Sequence, residues 1–492
     1  MRTKYSADYV LGYDGSGHTL IPRGQIVVED DIIVHVGQDY SGNVDESVEL
    51  EQSLLTPGLI DLDALTDIDH LILDSWAAPD VADAHIWSQE YFDGGRHDVC
   101  TPGERQTLRE FALVQLALHG ITTYMPIASE IHSSWAETYD ELVGMSETSR
   151  RIGLRGYLGP AYRSGVHVVT AEGERRVAFA EDKGLEGLDD ALRFLDYARD
   201  LADPLVNGVL LPCRIETMTE DLLARTAALA TERNVPVRLH SLQGELEVKL
   251  LAEAGDTPIE VLRRTGLLNC DLLVPHGVMI DATDPGHHAP EGALTLLAEH
   301  GVSIIHCPLT TFRYGKALNS FDRFRAAGIN LALGTDSFPP DLIRGIDVGM
   351  HLARLVEGRA DAGSLNDYFD AATLGGATAL KRPDLGRLTP GAQADFVAFS
   401  LGDFRDGVIE DPLRTLVLNG TARQVTHSVV AGRPVIVDST LPGLDLDALR
   451  SRAQGIFTKL RTAYSERDAQ HRDADVLFPP PYPVSGTATV AS

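Results

Sequence analysis

The sequence predicts an α/β protein, a (β/α)8 TIM barrel with a small β-sandwich formed by both chain ends. Three observations lead to this fold. The middle of the chain alternates short apolar segments with longer helical segments. Both ends instead contain β-type runs broken by Gly and Pro. The length of 492 residues suits one large barrel with a smaller satellite domain.

Eight apolar segments have the length and composition of buried parallel strands. Several helical segments between them end in Gly or Asn directly before the next strand, as helix C-termini favour. Eight strand–helix alternations are the number that closes a barrel. The segments are Leu55–Leu62, Ile121–Ile127, Arg155–Ala161, Gly208–Cys213, Val237–His240, Leu272–Val278, Val302–Cys307 and Leu331–Gly334.

The β-type ends flank the barrel and define its boundaries. GQIVVEDDIIVHVGQ near the N-terminus resembles a hairpin, and LGRLTPGAQADFVAFSLGD begins the returning β unit. We expect residues 1–56 to form the N-terminal part of the sandwich and residues 57–384 the barrel. Residues 385–440 would form the C-terminal part of the sandwich, and residues 441–492 a helix followed by an extended tail.

Charge and cysteine content restrict the partners and the compartment. Acidic residues number 72 against 42 basic ones, for a net charge of −30, which disfavours nucleic acid and anionic membranes as partners. The four cysteines are scattered without a CxxC pair, as expected of free thiols in a reducing compartment. The N-terminus lacks a signal peptide's apolar core, so a cytoplasmic protein is expected.

Polar side chains stand at the ends of the later predicted strands, where barrels of this kind place their active residues. His240 and His276 end the fifth and sixth strands, His306 lies in the seventh, and Asp336 follows the eighth. Imidazoles and a carboxylate at one barrel mouth are typical ligands of Zn²⁺ or a similar divalent ion. A strand-end histidine can also be structural, and Asp336 could cap the next helix.

Seven pieces of the sequence, in order, resemble the amidohydrolase superfamily, in the branch with cytosine deaminases and triazine chlorohydrolases. The resemblance covers about residues 5–435. The pieces are LLTPGLIDLDAL, GITTYMP, LHSLQGELE, PHGV, HCPLTT, ALGTDSFPPD and LGRLTPGAQADFVAF.

The resemblance implies a role for each strand-end residue. His240 would bind metal, and His276 would bind metal or hold the attacking water and the substrate oxygen. Asp336 would bind metal and shuttle the proton. NGVLLPC on the fourth strand lacks the lysine that bridges two metals in other branches, so one divalent ion is expected, zinc first, then iron, cobalt or manganese. A small-molecule substrate and a homo-oligomer are also implied.

Two motifs depart from the family pattern. The usual His-x-His of strand one is replaced by Asp63 and Leu65; Asp63 can still bind metal, whereas Leu65 cannot. Nearby Asp67, Asp69 or His70 could substitute. The deaminases carry a Glu three residues after the strand-five His, and here that position is Gln243, which cannot transfer protons as a carboxylate does.

A looser likeness to phenylurea and thiocarbamate hydrolases adds one more candidate residue. Arg163, in GPAYRSG after strand three, could polarise a substrate carbonyl or form a structural salt bridge. The leading hypothesis is therefore metal-dependent hydrolysis of a C–N bond in an amide, urea or carbamate-like molecule. The alternatives are hydrolytic deamination or dechlorination of a heterocycle, and a barrel homologue without metal or activity.

Overall fold

The computed structural model describes residues 1–68, 86–127, 131–280, 292–419 and 421–482. These residues contain twenty strands, most of them short. In chain order they are β1 (Arg2–Tyr13), β2 (His18–Glu29), β3 (Ile32–Gly37), β4 (Glu46–Pro57), β5 (Leu59–Leu65), β6 (Trp87–Ser88), β7 (Ile121–Ile127), β8 (Arg155–Leu158), β9 (Ala161–Tyr162), β10 (Gly165–Val169), β11 (Arg175–Phe179), β12 (Val206–Gly208), β13 (Leu211–Pro212), β14 (Val237–Arg238), β15 (Leu272–Pro275), β16 (Ser303–His306), β17 (Asn330–Leu333), β18 (Phe396–Ser400), β19 (Val425–Val430) and β20 (Arg433–Ile436).

The α-helices of the described residues lie mainly between and after the barrel strands. None of them combines the length and the apolar character that crossing a bilayer requires. They are α1 (Pro102–Leu118), α2 (Tyr139–Ile152), α3 (Glu181–Leu201), α4 (Glu220–Arg233), α5 (Glu245–Glu253), α6 (Pro258–Arg264), α7 (Ala293–Glu299), α8 (Pro308–Arg313), α9 (Phe321–Ala326), α10 (Leu342–Glu357), α11 (Leu365–Asp370), α12 (Gly376–Ala379), α13 (Pro412–Asn419), α14 (Leu446–Arg467) and α15 (Ala474–Leu477).

The two chain ends share one seven-stranded sheet, in the order β20-β19-β18-β4-β1-β2-β3. The junction lies at β4, which pairs in parallel with β1 and antiparallel with β18. Alternate residues of these strands are buried, and their apolar side chains form a core of their own. The prediction that both ends build one β unit beside an α/β barrel is confirmed.

The barrel strands are β5, β7, β8, β12, β14, β15, β16 and β17. They form two four-stranded parallel sheets, ordered β12-β8-β7-β5 and β14-β15-β16-β17. A parallel bridge between Leu210 and Val237 connects the fourth strand to the fifth. The N–H of Asp336 donates to the carbonyl of Asp63 over 2.8 Å, so the eighth strand meets the first at their C-terminal ends. This closure brings residues far apart in sequence to one mouth.

The first predicted strand, Leu55–Leu62, is divided between the two units. Leu55–Pro57 belongs to β4 of the end sheet, and a separate strand, β5, begins at Leu59 after Gly58. A Cβ at position 58 would lie only 2.1 Å from Thr122 Oγ1, so the chain can turn here only at a glycine. The apolar run is continuous because both strands are buried, and hydropathy alone does not mark the boundary.

Two additions lie over the barrel mouth. A three-stranded sheet of β6, β10 and β11 follows the first and third barrel strands. The helix α14 packs beside it through Arg467, which is fully buried and donates to the Ile131 carbonyl and the Tyr91 hydroxyl. The predicted helix after residue 441 is thus observed over Leu446–Arg467, while residues 483–492 of the expected tail lie outside the described residues.

A buried ion pair joins the barrel to the end sheet and yields a stability prediction. Arg155 of β8, with no exposed surface, donates to both carboxylate oxygens of Asp395 over 3.1 Å each. Arg155→Met leaves the buried Asp395 carboxylate without its cation, and we expect the free energy of unfolding to fall by about 3–5 kcal/mol.

Urea unfolding of the variant and the parent measures this loss. Arg199→Met is the matched control, because Arg199 is 62% exposed and solvent screens its ion pair with Asp196, so that little stability should be lost. Equal losses in the two variants would show that the Arg155 pair does not hold the two units together.

Candidate metal centre and active-site cavity

The ends of the fifth and sixth barrel strands position two imidazoles. The backbone N–H of His240 donates to the Cys213 carbonyl, and Nδ1 of its ring lies 3.2 Å from the same oxygen. This contact turns Nε2 of His240 toward the barrel mouth. His276 adopts a left-handed backbone with φ 71°, which is uncommon for a residue with a side chain. The rings of His240 and His276 lie 5.4 Å apart between centroids.

Asp63, at the end of the first strand, completes a cluster with the two histidines. Its Oδ2 lies 3.5 Å from Nε2 of His240 and 4.0 Å from Nε2 of His276. All three side chains are buried, and their ligand atoms lie within 4.8 Å of one another. Of the three residues, the sequence predicted two through strand position and Asp63 through its place in the altered His-x-His motif.

The cluster fits a single divalent ion. Four ligands placed tetrahedrally 2.0–2.1 Å from zinc are separated by roughly 3.3 Å, close to the distances observed here. Nε2 of His240 and Nε2 of His276 are both buried, and neither has a hydrogen-bond partner within the part of the chain that the structure describes. Two buried imidazole nitrogens without hydrogen bonds are costly unless they bind something. A metal ion would satisfy both.

Burial sets the charge state of the cluster. It lowers the pKa of His240, and burial together with the nearby His240 lowers the pKa of His276 well below its ordinary value. Burial alone would raise the pKa of Asp63, but its neighbours outweigh burial and the pKa falls; with both imidazoles neutral, the cation that keeps Asp63 ionised is the Arg238 guanidinium, 3.1 Å from Oδ1. The site thus holds two neutral imidazoles and one carboxylate, the forms that bind metal.

Asp336 lies beside this cluster. Its Oδ2 is 3.6 Å from Nε2 of His276, and its backbone is left-handed with φ 39°. The hydroxyl of Thr310 donates to the Asp336 carbonyl, and the Asp336 N–H is bound by Asp63. Strained backbone held by such contacts is typical of functional residues. Asp336 thus contacts His276 directly, while the tighter three-residue cluster is formed by Asp63, His240 and His276.

Among the other candidates near strand one, neither Leu65 nor Asp67 joins the cluster. Leu65 is buried and apolar. Asp67 is not a member of the three-residue group found among the described residues. Asp69 and His70 lie outside the described residues. On strand seven, His306 packs against Phe321 and Tyr368 with centroids 6.1 Å away, so its ring belongs to an aromatic group.

Arg163 lines the same cavity as the cluster. Its guanidinium lies 5.6 Å from the Trp87 ring and 5.8 Å from the Trp135 ring, and it donates to the Trp135 carbonyl. The Trp135 indole N–H donates back to the Arg163 carbonyl over 2.9 Å. These two reciprocal hydrogen bonds fix the Arg163 guanidinium in the cavity wall, whichever substrate group it contacts.

The cavity itself is large enough for a small organic substrate, with a volume of about 1060 Å³. Its wall includes His240, His276 and Asp336, together with Trp87 and Arg163 from the sheet over the mouth. The Trp87 ring and several charged side chains therefore surround the side of the cavity at which the metal-binding cluster lies. Such a cavity can hold a molecule while water at the metal edge attacks it.

Three charged residues of this site were not predicted from the sequence. Arg238 lies 3.1 Å from Oδ1 of Asp63 and could have been found, because side chains two apart on a strand share a face and His240 follows at that spacing. Arg214 donates to the Gln243 side chain. Glu247 accepts from the backbone N–H groups of Leu242 and Gln243. The sequence spacing of Arg214, Gln243 and Glu247 does not indicate the contacts that Arg214 and Glu247 make.

The amidohydrolase family model matches residues 54–435. The chain belongs to the amidohydrolase family. It is thus an enzyme of amidohydrolase type, a hydrolase acting on C–N bonds other than peptide bonds. The match begins at β4 and ends at β20, so it spans the barrel and the returning strands of the end sheet.

Similar proteins include deaminases of purine nucleoside derivatives. This amidohydrolase is 28% identical to the 5-methylthioadenosine/S-adenosylhomocysteine deaminase of Halobacterium salinarum, over 88% of this chain and 93% of that protein. It is 26% identical to the protein of the same name from Pyrococcus horikoshii, over 90% and 97%.

Solved structures share its fold. An adenosine deaminase from Xanthomonas campestris with bound zinc superposes with a TM-score of 0.78 at 24% identity, covering 94% of this chain and 98% of that one. A zinc complex of atrazine chlorohydrolase from Arthrobacter aurescens TC1 superposes with a TM-score of 0.73 at 18% identity, covering 92% and 100%. The predicted membership of the family and the barrel fold are both confirmed.

The cluster predicts which histidines hold the metal. His240→Asn removes one of three converging ligand atoms, and we expect the metal content of the purified protein to fall at least tenfold. His306→Asn should leave metal content unchanged, because the His306 ring packs among aromatic side chains. Elemental analysis of both variants measures this. Equal metal loss in the two would contradict the assignment.

His306 also predicts a pH dependence of stability. Burial lowers its pKa to about 3, whereas in the unfolded chain it takes a proton near pH 6.5. Below about pH 6.5 the unfolded state therefore binds one more proton, and the free energy of unfolding falls by about 1.4 kcal/mol per pH unit until the folded ring also protonates. His306→Asn should make the decline between pH 6.5 and pH 4 correspondingly shallower in urea titrations. Parallel curves would contradict the burial of a neutral ring.

Proposed function

We propose that this amidohydrolase cleaves the C–N bond of an amide, urea or carbamate-like small molecule. The observation that carries the proposal is the combination of a metal-binding cluster and a neutral Gln243 in one cavity wall. Attack by water on a carbonyl requires activation of the water and of the carbonyl. It does not require the carboxylate that heterocycle deaminases have at position 243.

Asp63, His240 and His276 would hold one divalent ion, and zinc is supported by the zinc-bound structures of the same fold. When bound, such an ion polarises a carbonyl oxygen and lowers the pKa of water to roughly 7. Two neutral imidazoles and one carboxylate leave a divalent site with a net positive charge. A cation held there would favour the negative charge that develops on the carbonyl oxygen during attack.

Asp336 would move the proton. Its carboxylate lies beside His276 at the cavity wall, within reach of a water molecule at the cluster. It takes one proton as the water oxygen bonds to the carbonyl carbon, and it gives that proton to the nitrogen as the C–N bond breaks. The hydrogen bond from the Asp336 N–H to Asp63 fixes its distance from the cluster.

His276 and Arg163 would assist the same step. His276 contacts both carboxylates, so it would bind the ion or hold the attacking water and the substrate oxygen. Arg163, held in the cavity wall by its hydrogen bonds with Trp135, would polarise a carbonyl or position an anionic group of the substrate. We also propose that the enzyme acts as a homo-oligomer in the cytoplasm.

Hydrolytic deamination of a heterocycle is the second candidate. It is favoured by the names of the relatives, which are 5-methylthioadenosine/S-adenosylhomocysteine deaminases. One structural observation also supports it: burial raises the pKa of Glu247, a residue of the cavity wall, to about 7, which suits an acid–base group. Against this role, both Glu247 oxygens already accept hydrogen bonds from Ser241, Leu242 and Gln243.

Product analysis distinguishes the two candidates. The metal-loaded enzyme is incubated with anilides, phenylureas and aryl carbamates, and separately with adenosine-type heterocyclic amines. We expect release of an aryl amine from members of the first group, and no ammonia from the second. Ammonia from the heterocycles alone would establish the deaminase instead. A metal-free protein without activity on either group would favour the non-catalytic alternative.

Replacement of Asp336 tests the proposed proton transfer. Asp336→Asn cannot accept a proton, and we expect kcat to fall by about 10²–10⁴-fold with the circular dichroism spectrum unchanged. Asp347→Asn is the matched control, because Asp347 lies on α10 and is partly exposed. Activity within a few-fold of the parent in Asp336→Asn would exclude it as the proton carrier.

A further inference from the structure

The structure points to a feature of the substrate that the proposed reaction does not specify. Gln243 and Arg214 lie together in the cavity wall, and the Arg214 guanidinium donates to Oε1 of Gln243. In the deaminases that this chain resembles, position 243 carries a Glu. A Glu would neutralise the guanidinium, whereas the amide of Gln243 leaves its positive charge in place.

Arg214 lies next to the metal-binding residues. Its backbone forms a parallel bridge with His240, and its charge lowers the pKa of both His240 and His276. The guanidinium is therefore close enough for its field to reach the centre at which the C–N bond would break. A substrate group that contacts Arg214 lies near the scissile bond.

The neighbouring carboxylates have other partners. Glu216 lies 3.2 Å from Nε2 of His167. Glu247 accepts hydrogen bonds at both of its oxygens from the loop that begins at Ser241. Within the described residues no carboxylate lies within ion-pair distance of Arg214, although its charge, together with the contact from His167, lowers the pKa of the buried Glu216. A partly buried guanidinium without a carboxylate calls for an anion from elsewhere.

The Arg214–Gln243 pair also offers only hydrogen-bond donors. The acceptor of the Gln243 amide is used by Arg214, which leaves the amide NH2 and the remaining guanidinium N–H groups. The surrounding cavity wall is also predominantly basic, with seven Arg and Lys side chains against four carboxylates, although the whole chain has a net charge of −30. A planar carboxylate matches such a donor set.

We propose that Arg214 and Gln243 form a carboxylate-binding subsite, so that the substrate of this enzyme carries a carboxylate close to the scissile C–N bond. The proposal rests on the proposed hydrolysis at the metal centre. It makes Gln243 a specificity residue, because the substrate supplies the negative charge that a Glu would otherwise provide. The substrate class is an N-acyl or N-carbamoyl amino acid or a compound with the same arrangement.

Binding of matched probes tests the subsite. N-Carbamoylglycine and N-acetylglycine are compared with their uncharged primary amides, by calorimetry with the zinc-loaded enzyme. We expect the carboxylates to bind at least about tenfold more tightly than the amides. Arg214→Met and Gln243→Glu should each abolish this preference, the first by removing the cation and the second by neutralising it. Arg214→Lys should retain part of it.

Arg225→Met is the control, since Arg225 is 56% exposed on α4 and pairs with Asp221, and it should keep the full preference. A carboxylate preference that survives Arg214→Met would mean that the metal alone binds the anion and would overturn the proposal. No preference in the parent enzyme would overturn it as well. Intact preference without hydrolysis of any probe or panel compound would instead refute the proposed reaction and leave the subsite standing.

Discussion

The carboxylate of Asp63 has no exposed surface, and its neighbours determine what the barrel mouth can do. Oδ1 faces the Arg238 guanidinium at 3.1 Å, while Oδ2 faces the two imidazoles. A buried carboxylate without a cation would cost several kcal/mol. Arg238 supplies that cation on one side only. The carboxylate therefore stays ionised with its other oxygen directed at His240 and His276, which is the geometry that a single metal ion needs.

The end of strand one, which carries Asp63, also positions other residues of the barrel mouth. The Asp63 carbonyl accepts from the Asp336 N–H, so the proposed proton carrier is fixed to the proposed metal ligand. Two residues earlier, the buried Asp61 accepts from the Thr335 N–H and hydroxyl, and burial raises its pKa to about 7. Strand one thus holds the loop after strand eight through the Asp61 side chain and the Asp63 backbone. An apolar residue at position 61 would loosen the closure, whereas one at position 63 would keep the backbone bond and remove the proposed metal ligand.

Much of this arrangement could be predicted because the fold and the strand-end positions leave periodic signals. Alternation of apolar and helical segments predicted the barrel, and strand ends predicted His240, His276 and Asp336. The sequence shows that Asp63 replaces the first histidine of the His-x-His pair. It does not show that Asp63 pairs with Arg238, because a pair between strands one and five depends on closure of the barrel. Nor could the sequence distinguish His306 from the metal-facing histidines, because the direction of its ring depends on Phe321 and Tyr368.

The contacts of Arg214, Gln243 and Glu247 depend on the loops after the fourth and fifth barrel strands, whose course has no repeating pattern, so these residues could be found only in three dimensions. The central proposal is that the cluster that they border, formed by Asp63, His240 and His276, binds one metal ion. Anomalous diffraction at the zinc edge, from crystals of the purified enzyme, tests it directly. We predict one peak at about 2.0–2.2 Å from Nε2 of His240, Nε2 of His276 and one oxygen of Asp63. A metal-replete crystal with its peak elsewhere, or with no peak between these three side chains, would contradict the account.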